Sequence, residues 1–365
     1  MSMKSIYRGD VLSLEIYGES HSPTIGVLIG GLPEGVVPDP EFTATLMKRR
    51  APGQNAWSTP RKEKDEVIFE ENEDGRLHGY IINSNTKPKD YASIMNKPRP
   101  SHADYTAGIK YGDEASRSGG GIFSGRMTAP LCIAGSIALK ELSRRGITVN
   151  SHIKSIAGIS DDSYYDHDAH DTGFIEALKG VAGKEFPTVS DEAGEKMKAA
   201  IEAARMDLDS VGGVIETVVT GLPEGVGGPI FDGIEGKIAQ IMYAIPAVKG
   251  VEFGNGFEIA GLKGSENNDP FGYDEEGNVI LKTNRCGGIL GGISVGNAAP
   301  IVFDCAFKPT PSIGRKQQTI DLSEHNETTI TIEGRHDPCI VPRAVPVTEA
   351  AAAIAIWDML LKEGR

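Results

Sequence analysis

The residues with the clearest chemical potential are arginines and a histidine in stretches that lack a regular pattern. Arg49 and Arg50 end a helical segment, Arg126 follows a glycine run, and Arg99 and His102 lie in "KPRPSHADYT". Guanidinium groups bind carboxylates and phosphates through paired hydrogen bonds, although arginines that end a helix can also complement its dipole. The chain has 37 basic and 51 acidic residues, a net charge of −14. A cleft that gathers these side chains would invert that charge locally and favour a polyanionic small ligand.

Two further positions could move protons. His21 lies in "GESHS" (18–22), between two strand-like stretches, and imidazole changes its charge near neutral pH. A turn histidine satisfied by local hydrogen bonds is the alternative. Asp337 lies in "GRHDPC", where it could act on a proton while Arg335 binds an anion. The alternative is that this pair only caps a turn.

A glycine-rich loop precedes a helix in "SGGGIFSGRMTAPLC" (118–132). Backbone amides at a helix N-terminus favour phosphate, so a phosphate-binding role is one interpretation and a flexible linker is the other. Ser124 occupies the third glycine position of a GxGxxG pattern, and GxxxxGK[ST] is not present, so the sequence does not support a dinucleotide fold. The segment "DDSYYDHDAHD" (161–171) is interpreted as an exposed acidic loop and not as a metal site.

The hexapeptide "GLPEGV" occurs at 31–36 and again at 221–226, which is 221 − 31 = 190 residues later. Its flanks also agree, with an apolar run before each copy and a helix-like stretch after it. We interpret this as a duplicated strand–turn–helix unit, with halves at roughly 1–190 and 191–365 of one large domain. His21 aligns with Val211. The scaffold therefore does not require this histidine, which favours a functional role for it.

The elements that must position these residues are strands and helices in irregular alternation. The patterns predict a hairpin turned at Asp74-Gly75, a helix from about Ser124 to Arg145, and a C-terminal helix over 347–364. Residues 160–190 are expected to form a polar, acidic surface excursion. Because the order is not strictly βαβ, we predict an α+β fold and not a doubly wound sheet.

Composition excludes several classes of function. The net charge of −14 disfavours nucleic acid and anionic membranes as partners. The N-terminal residues carry charges through any apolar region, and no stretch reaches about 18 consecutive apolar residues. The four cysteines are widely spaced without CxxC, which is typical of buried thiols in a reducing compartment. The expected location is cytoplasmic.

Three long segments resemble the chorismate synthase family of the shikimate pathway. They are "GESHSPTIGVLIGGLPEGV", "GGGIFSGRMTAPLCIAGSIA" and "GRHDPCIVPRAVPVTEA". "RPSHADYT", "AVKGVEFGNGF" and "NRCGGILGGISVGN" extend the resemblance, which is colinear from about residue 5 to 360. It implies a β-α-β sandwich with internal duplication about a pseudo-twofold axis, usually assembled as a homotetramer.

The resemblance also implies a reaction. This is the 1,4-anti elimination of phosphate from 5-enolpyruvylshikimate 3-phosphate (EPSP) to give chorismate, the last step of the shikimate pathway. It requires reduced FMN, although there is no net redox change. Its substrate carries two carboxylates and a phosphate, which fits the arginines. NADPH is a possible reductant, and an external flavin reductase is the other source of reduced flavin.

The same resemblance assigns roles to residues of this chain. His21 would lie near the flavin and hold its protonation state, His102 would act on the leaving phosphate, and Asp337 would help move the proton by way of flavin N5. The implied substrate-binding residues are Arg49, Arg50, Arg99 and Arg126, with Arg50 also at a position assigned to NADPH. The implied FMN-binding residues are Ser124, Ala247, Gly291, Lys308, Pro309, Thr310, Pro311, Ser312 and Arg335. No metal is implied.

Some positions depart from the family pattern. The usual Arg-Ser of the glycine loop is Ile122-Phe123, an expected arginine is Ala56, a glycine is Ser101, and an asparagine is Pro246. These departures leave two alternatives open beside an active lyase. One is a flavin- or nucleotide-dependent oxidoreductase, and the other is a homologue that binds anions without catalysis.

Overall fold

A computed structural model describes residues 4–53, 65–83, 96–112, 120–332 and 337–365. Among these residues it shows two five-stranded antiparallel sheets, three small sheets and eight α-helices. The helices are α1 (Pro40–Arg50), α2 (Asp104–Tyr111), α3 (Thr128–Arg144), α4 (Thr172–Val181), α5 (Asp191–Met206), α6 (Ile234–Met242), α7 (Gly264–Asn267) and α8 (Val341–Lys362). The predicted α+β class is confirmed.

The two large sheets have the same strand order when the second is read from its opposite edge. The first is β1-β2-β3-β5-β4 and the second is β10-β15-β8-β6-β7. The strands of the first are β1 (Lys4–Arg8), β2 (Ser13–Tyr17), β3 (Thr24–Gly30), β4 (Val67–Glu71) and β5 (Leu77–Ile82). Those of the second are β6 (Thr148–Ile156), β7 (Ile159–Ser160), β8 (Gly213–Thr220), β10 (Val248–Phe253) and β15 (Ile301–Phe307).

Matching β2, β3, α1, β4, β5 and α3 to β6, β8, α6, β10, β15 and α8 shows the internal duplication. The unit is the same in both sheets, and each copy ends in a long buried helix. In this strand order the second unit begins at β6, whereas the predicted halves placed 148–156 in the first half. The connection between β2 and β3 spans residues 18–23, whereas its counterpart between β6 and β8 contains α4 and α5. This long insertion is why the spacing of the hexapeptide did not reveal where the second unit begins.

The hexapeptide recurs because the same turn is built twice. Gly31 and Gly221 follow β3 and β8 with φ values of 80° and 75°, in the left-handed region that favours glycine. A Cβ on Gly31 would lie 2.0 Å from the carbonyl oxygen of Val11, and one on Gly221 would lie 2.3 Å from that of Gly146. Any other residue would therefore force the backbone apart at either site.

The small sheets lie in connections of the second unit. They pair β11 (Phe271–Tyr273) with β12 (Val279–Leu281), β13 (Ile289–Leu290) and β9 (Glu224–Gly227) with β14 (Ile293–Val295), and β16 (Gln317–Asp321) with β17 (Asn326–Ile330). The last pair is a hairpin in the connection from β15 to α8.

The helices α3 and α8 form the centre of the molecule, between the sheets. Helix α3 packs on β3 and β5, α8 packs on β6 and β8, and the two helices pack on each other. A Cβ on Gly135 would lie 2.3 Å from the Cβ of Ala350, so the helices approach closely where both carry small residues. This arrangement is the expected β-α-β sandwich.

Among the described residues, α8 is long and apolar enough to span a membrane, but 94% of its most apolar window is buried. The buried carboxylate of Asp358 accepts hydrogen bonds from the backbone N–H groups of Asp10, Val11 and Leu12. Helix α8 is therefore a central helix of this fold, tied by Asp358 to the turn before β2.

The segment 160–190 is only partly the exposed acidic excursion that the sequence predicts. Tyr164 and Phe174 are each 3% exposed and pack with Val218 and Val302 on the outer face of the second sheet. His167 lies within 3.1 Å of an Asp162 oxygen and 3.0 Å of an Asp171 oxygen. Among the described residues no group of three His, Cys, Asp or Glu side chains is arranged to hold a metal ion.

Candidate active site

A cavity of about 830 Å³ opens between corresponding connections of the two units. Its wall comes from the segment before α3 and its counterpart at the start of α8, together with 243–249, the connection from α6 to β10. Among the described lining residues, Asp337 carries the only carboxylate, and seven are cationic: Lys4, Arg50, Arg99, Arg126, Lys249, Lys308 and Arg343. In a chain of net charge −14 this is the local inversion that a polyanionic ligand requires.

One side of the cavity holds Arg50 and Arg126 on a shared carboxylate. Asp65 accepts from Arg50 Nη2 at 2.7 Å and from Arg126 Nη1 at 2.6 Å. Arg126 also donates to the side-chain oxygen of Asn83 at 2.9 Å, and Arg50 donates to Thr128 Oγ1 at 3.3 Å. Burial alone would raise the pKa of Asp65, but the two adjacent guanidinium groups lower it below its ordinary value.

Arg99 and His102 are organised by a second carboxylate. Asp104 accepts from Arg99 Nε and Nη2, each at 2.7 Å, and its Oδ1 lies 2.6 Å from His102 Nδ1. Burial would raise the pKa of Asp104, but hydrogen bonds from Arg99 and His102 hold it well below its ordinary range. An Nδ1–H donated to Asp104 makes Nε2 the nitrogen that a ligand can use.

His21 lies in the tight turn between β2 and β3. Ser22 Oγ accepts from the backbone N–H of Glu19 at 2.9 Å and donates to the Thr24 carbonyl at 2.6 Å, which fixes the turn. The backbone N–H of Ser20 donates to the carbonyl of Gly121 at 3.3 Å. The turn that carries His21 therefore lies against the glycine-rich loop.

Asp337 lines the same cavity, in the segment that leads into α8. Its carboxylate accepts from Arg343 Nη1 at 2.6 Å, and its backbone carbonyl accepts from Thr310 Oγ1 at 2.8 Å. Arg343 Nε also donates to the backbone carbonyl of Arg50 at 3.2 Å. The carboxylate of the second unit is thus joined through Arg343 to the helix that supplies Arg50.

The turn after β15 contributes Lys308, Thr310, Pro311 and Ser312 to the lining. Lys308 Nζ donates to the carbonyl of Ser101, and its backbone N–H donates to that of Ala247 at 3.0 Å. Ser312 Oγ accepts from Arg99 Nη1 at 3.1 Å. Burial, and then the charge of Lys249, lower the pKa of Lys308 below its ordinary value.

The glycine-rich loop forms an apolar wall followed by a polar corner. Ile122 and Phe123 line the cavity, and Ser124 Oγ accepts from the backbone N–H of Arg126 at 3.2 Å. Ser124 therefore caps the short 3₁₀ turn that precedes α3.

Most of the residues predicted for the site meet in this cavity. His21, Arg50, Arg99, His102, Ser124, Arg126, Ala247, Lys308, Thr310, Pro311, Ser312 and Asp337 all line it. Arg49, Gly291 and Pro309 are not among the described lining residues. Arg49 instead forms two hydrogen bonds with the carboxylate of Glu349, at 2.6 and 2.9 Å. Arg335 and Ala56 lie outside the described residues.

Several residues of the site were not predicted from sequence, among them Asp65, Asp104 and Arg343, which form its ion pairs. Asp104 and Arg343 lie inside segments already quoted for the resemblance, so their motifs could have drawn attention to them. Asp65 lies in a charged stretch, "RKEKDE", where nothing distinguishes it from its neighbours. Its contact with Arg126, 61 residues away, exists only in the folded chain.

Comparison with known proteins agrees with this site. The family model described as chorismate synthase matches residues 12–361. The chain is 42% identical to the chorismate synthase of Lancefieldella parvula, covering 96% of this chain and 95% of that protein. It is 43% identical to that of Methanocaldococcus jannaschii, covering 98% and 96%. A crystal structure of chorismate synthase aligns with a TM-score of 0.74 and 27% identity over 98% of this chain and 93% of the other. With its duplicated fold and its cationic cavity lined by both units, the chain belongs to the chorismate synthase family.

Proposed function

We propose that this protein catalyses the 1,4-anti elimination of phosphate from EPSP, giving chorismate with reduced FMN and no net redox change. The observation that carries the proposal is the charge of the cavity, where seven cationic residues face one carboxylate. EPSP carries two carboxylates and a phosphate, so it matches a wall with several separated cations. Family membership supports the same reaction.

The residues present fit a flavin. The cavity volume of about 830 Å³ falls within the range of cofactor sites, and Ile122, Ile245 and Pro246 offer apolar surface to a flat ring. Among the described residues, Ser20 Oγ is buried without a hydrogen-bond partner and lies in the lining, so it has capacity for a ligand. Ser124, Ala247, Lys308, Thr310 and Ser312 would hold the phosphate and polar tail.

Reduced FMN, when bound, supplies electron density that lets phosphate leave from one end of the allylic system, while the hydrogen to be removed from the other end is only weakly acidic. Side chains of the protein bind the substrate and transfer the protons. Arg50, Arg99 and Arg126 bind the substrate anions, and Asp65 and Asp104 hold these guanidinium groups in place. His102 donates a proton to the departing phosphate, and Asp337, held by Arg343, accepts the proton released from carbon. His21 would lie near the flavin and maintain the protonation state of the flavin.

In this proposal Arg49 has a structural role and not a substrate contact. Its guanidinium is bidentate on Glu349, which is 4% exposed, and the pair ties α1 to α8. Gly291 lies in the turn between β13 and β14 and is not among the described lining residues, so its proposed part in FMN binding is indirect.

We further propose that the flavin is reduced by an external reductase. Arg50, the residue at the position assigned to NADPH, is 1% exposed and bonded to Asp65 and Thr128. This burial suits a small substrate anion better than a dinucleotide. Aerobic NADPH oxidation by the purified protein with FMN should remain at the rate of free FMN, and a protein-dependent rate would contradict the proposal.

The proposed assembly is a homotetramer. The outer face of the first sheet carries Ile6, Ile68 and Ile82, which are 48, 36 and 60% exposed, beside the half-buried Tyr17 and Tyr80. These residues share one face by the strand register. The register also places Lys4, Glu15 and Glu70 on this face, so the face is mixed, and a subunit contact would cover its exposed isoleucines.

The decisive assay supplies EPSP and photoreduced FMN without oxygen, and follows phosphate and chorismate together. Equal release of both, with the flavin still reduced, is the expected result. Oxidation of one flavin per product would establish an oxidoreductase. Unchanged EPSP that still perturbs the flavin spectrum would establish an anion-binding homologue.

A matched pair of variants tests the assignment of His102. His102→Ala should lower turnover by roughly two to four orders of magnitude, as expected for loss of a general acid, while FMN affinity is retained. His167→Ala, in the excursion that packs on the second sheet, should keep the wild-type rate. Wild-type turnover in His102→Ala would remove His102 from the mechanism.

A further inference from the structure

One carboxylate behind the cavity wall contacts two of its arginines. The Asp65 side chain is 4% exposed, and its two oxygens are divided between Arg50 and Arg126. Arg126 is held at a second point, because its other terminal nitrogen donates to Asn83. A planar guanidinium group with two fixed hydrogen bonds has a defined orientation.

Electrostatics alone does not explain why a carboxylate lies at this point. A negative charge beside Arg50 and Arg126 reduces the attraction of the cavity for an anionic ligand. Burying that carboxylate also costs free energy, which the two charge-assisted hydrogen bonds offset. The arrangement is favourable for binding if the orientation of the two arginines matters more than their net charge.

We propose that Asp65 is a positioning residue that sets the separation and orientation of Arg50 and Arg126, so that the two receive one phosphate or carboxylate group together. This inference rests on the proposed function only for the identity of the complete ligand. The common chemistry is an oxyanion bound by two guanidinium groups.

The ion pair of the neighbouring arginine, Arg49, with Glu349 provides a matched control. Arg49 precedes Arg50 on α1 and pairs with Glu349, also a buried carboxylate, yet Arg49 does not line the cavity. Glu349→Gln therefore removes the same charge from a comparable pair on the same helix. A purely structural role of such pairs would make Glu349→Gln and Asp65→Asn behave alike.

Two variants separate position from charge. Asp65→Asn keeps the shape of the side chain and removes its charge, whereas Asp65→Glu keeps the charge and displaces it by one methylene group. We expect both to weaken binding of inorganic phosphate and to raise the KM for EPSP by about ten- to a hundredfold, more than they lower kcat. If only charge mattered, Asp65→Asn would bind phosphate more tightly and Asp65→Glu would match the wild type.

Phosphate affinity is measured by the rise in melting temperature with added phosphate at constant ionic strength, for the full chain and all three variants. The expected result is a rise for the wild type and Glu349→Gln and a much smaller one for both Asp65 variants. A rise equal to or larger than that of the wild type in Asp65→Asn would overturn the inference, as would a wild type that phosphate does not stabilise. The proposed function fails separately, if the wild type binds phosphate but forms no chorismate.

Discussion

Three carboxylates hold the four arginines and His102 of the cavity in place, and each uses a different geometry. Asp65 bridges two arginines, Asp104 joins an arginine to a histidine, and Asp337 pairs with Arg343. A guanidinium group without such a partner has many side-chain conformations, and ordering it on binding costs free energy. Because these acids order the side chains before a ligand binds, less free energy is lost on binding. This explains why a site for a polyanion contains negative charges.

The backbone conformation of Ser101 leads to a prediction about stability. Ser101 has φ of 58°, a left-handed conformation in which a Cβ is unfavourable. We expect Ser101→Gly to raise the free energy of unfolding by about 0.5–1 kcal/mol, measured by urea denaturation. Its carbonyl, which accepts from Lys308, is unchanged by the substitution. Ser101→Ala keeps the Cβ and should show no gain, so an equal gain in both variants would contradict the explanation.

Two elements contribute to the site from outside the cavity. The hairpin of β16 and β17 holds the segment before Arg99, because Thr319 Oγ1 donates to the Pro98 carbonyl at 2.5 Å and the Leu322 N–H donates to that of Asn96 at 2.8 Å. The segment 160–190 is fixed to the second sheet by a buried cluster of charges around His152. The hairpin acts on the geometry of the site, and the cluster acts on stability.

The role of the hairpin predicts an effect of Thr319→Val. Loss of the hydrogen bond to Pro98 should loosen the Arg99 segment and lower kcat/KM by roughly tenfold, while the melting temperature changes little. Thr329→Val makes the same chemical change on the exposed opposite face of the hairpin and should keep the wild-type kcat/KM. Equal effects of the two variants would show that the bond to Pro98 is unimportant.

The buried cluster predicts a dependence of stability on pH. His152 lies 3.0 Å from oxygens of both Asp161 and Glu216, and Lys154 Nζ lies 2.5 Å from Asp304 and 3.5 Å from Glu216. Burial alone would lower the pKa of His152, but these hydrogen bonds and charges raise it to about 9. The folded protein therefore binds the proton more strongly than the unfolded chain, and the contribution of His152, complete below pH 6.5, is lost as the pH rises towards 9.

Urea denaturation between pH 7.5 and 9 measures this loss. Burial raises the pKa of Asp304 to about 7, so this carboxyl is mostly ionised already in that window. We expect the free energy of unfolding of the wild type to fall across the window, and that of His152→Gln to fall less. The exposed His325→Gln should keep the wild-type slope. An unchanged slope in His152→Gln would rule out this histidine as the cause.

In the whole molecule, the position of the cavity follows from the internal duplication. Each unit contributes the connection before its long helix, so residues of 120–128 and 337–347 line one cavity. A duplicated sandwich can in this way build an asymmetric site, with His21 in one unit only.

The exposed face of the first sheet predicts the assembly. Ile68→Lys combined with Ile82→Lys should convert the proposed tetramer to smaller species, because two buried charges would oppose the contact. Size-exclusion chromatography with light scattering measures the mass directly. Met206→Lys, at a residue that is 70% exposed on α5, is the matched control and should remain a tetramer. A tetramer in the double variant would place the interface on another face.

Local sequence was sufficient to predict the presence of most elements, although α8 begins at Val341 and not at the predicted residue 347, and α3 begins at Thr128 and not at Ser124. The hairpin turn at Asp74-Gly75 and the two "GLPEGV" turns depend on neighbouring residues, and the structure confirms them. Among the candidate residues of the cavity, the arginines, the histidines and Asp337 were singled out from local sequence, whereas Ala247 and the turn 308–312 were implied only by the family resemblance. Arginine, histidine and glycine in irregular backbone have few purely structural uses, so their presence there is informative.

Tertiary structure alone decided which of these residues share a site. Arg49 and Arg50 are adjacent and chemically identical, yet successive residues on a helix point about 100° apart. One therefore meets Glu349 and the other meets Asp65 and the cavity. The burial of Tyr164 and Phe174 in an acidic stretch and the bridge made by Asp65 depend likewise on contacts between distant parts of the chain. Local sequence patterns do not predict such contacts, because the contact partner of a residue is defined only once the chain has folded.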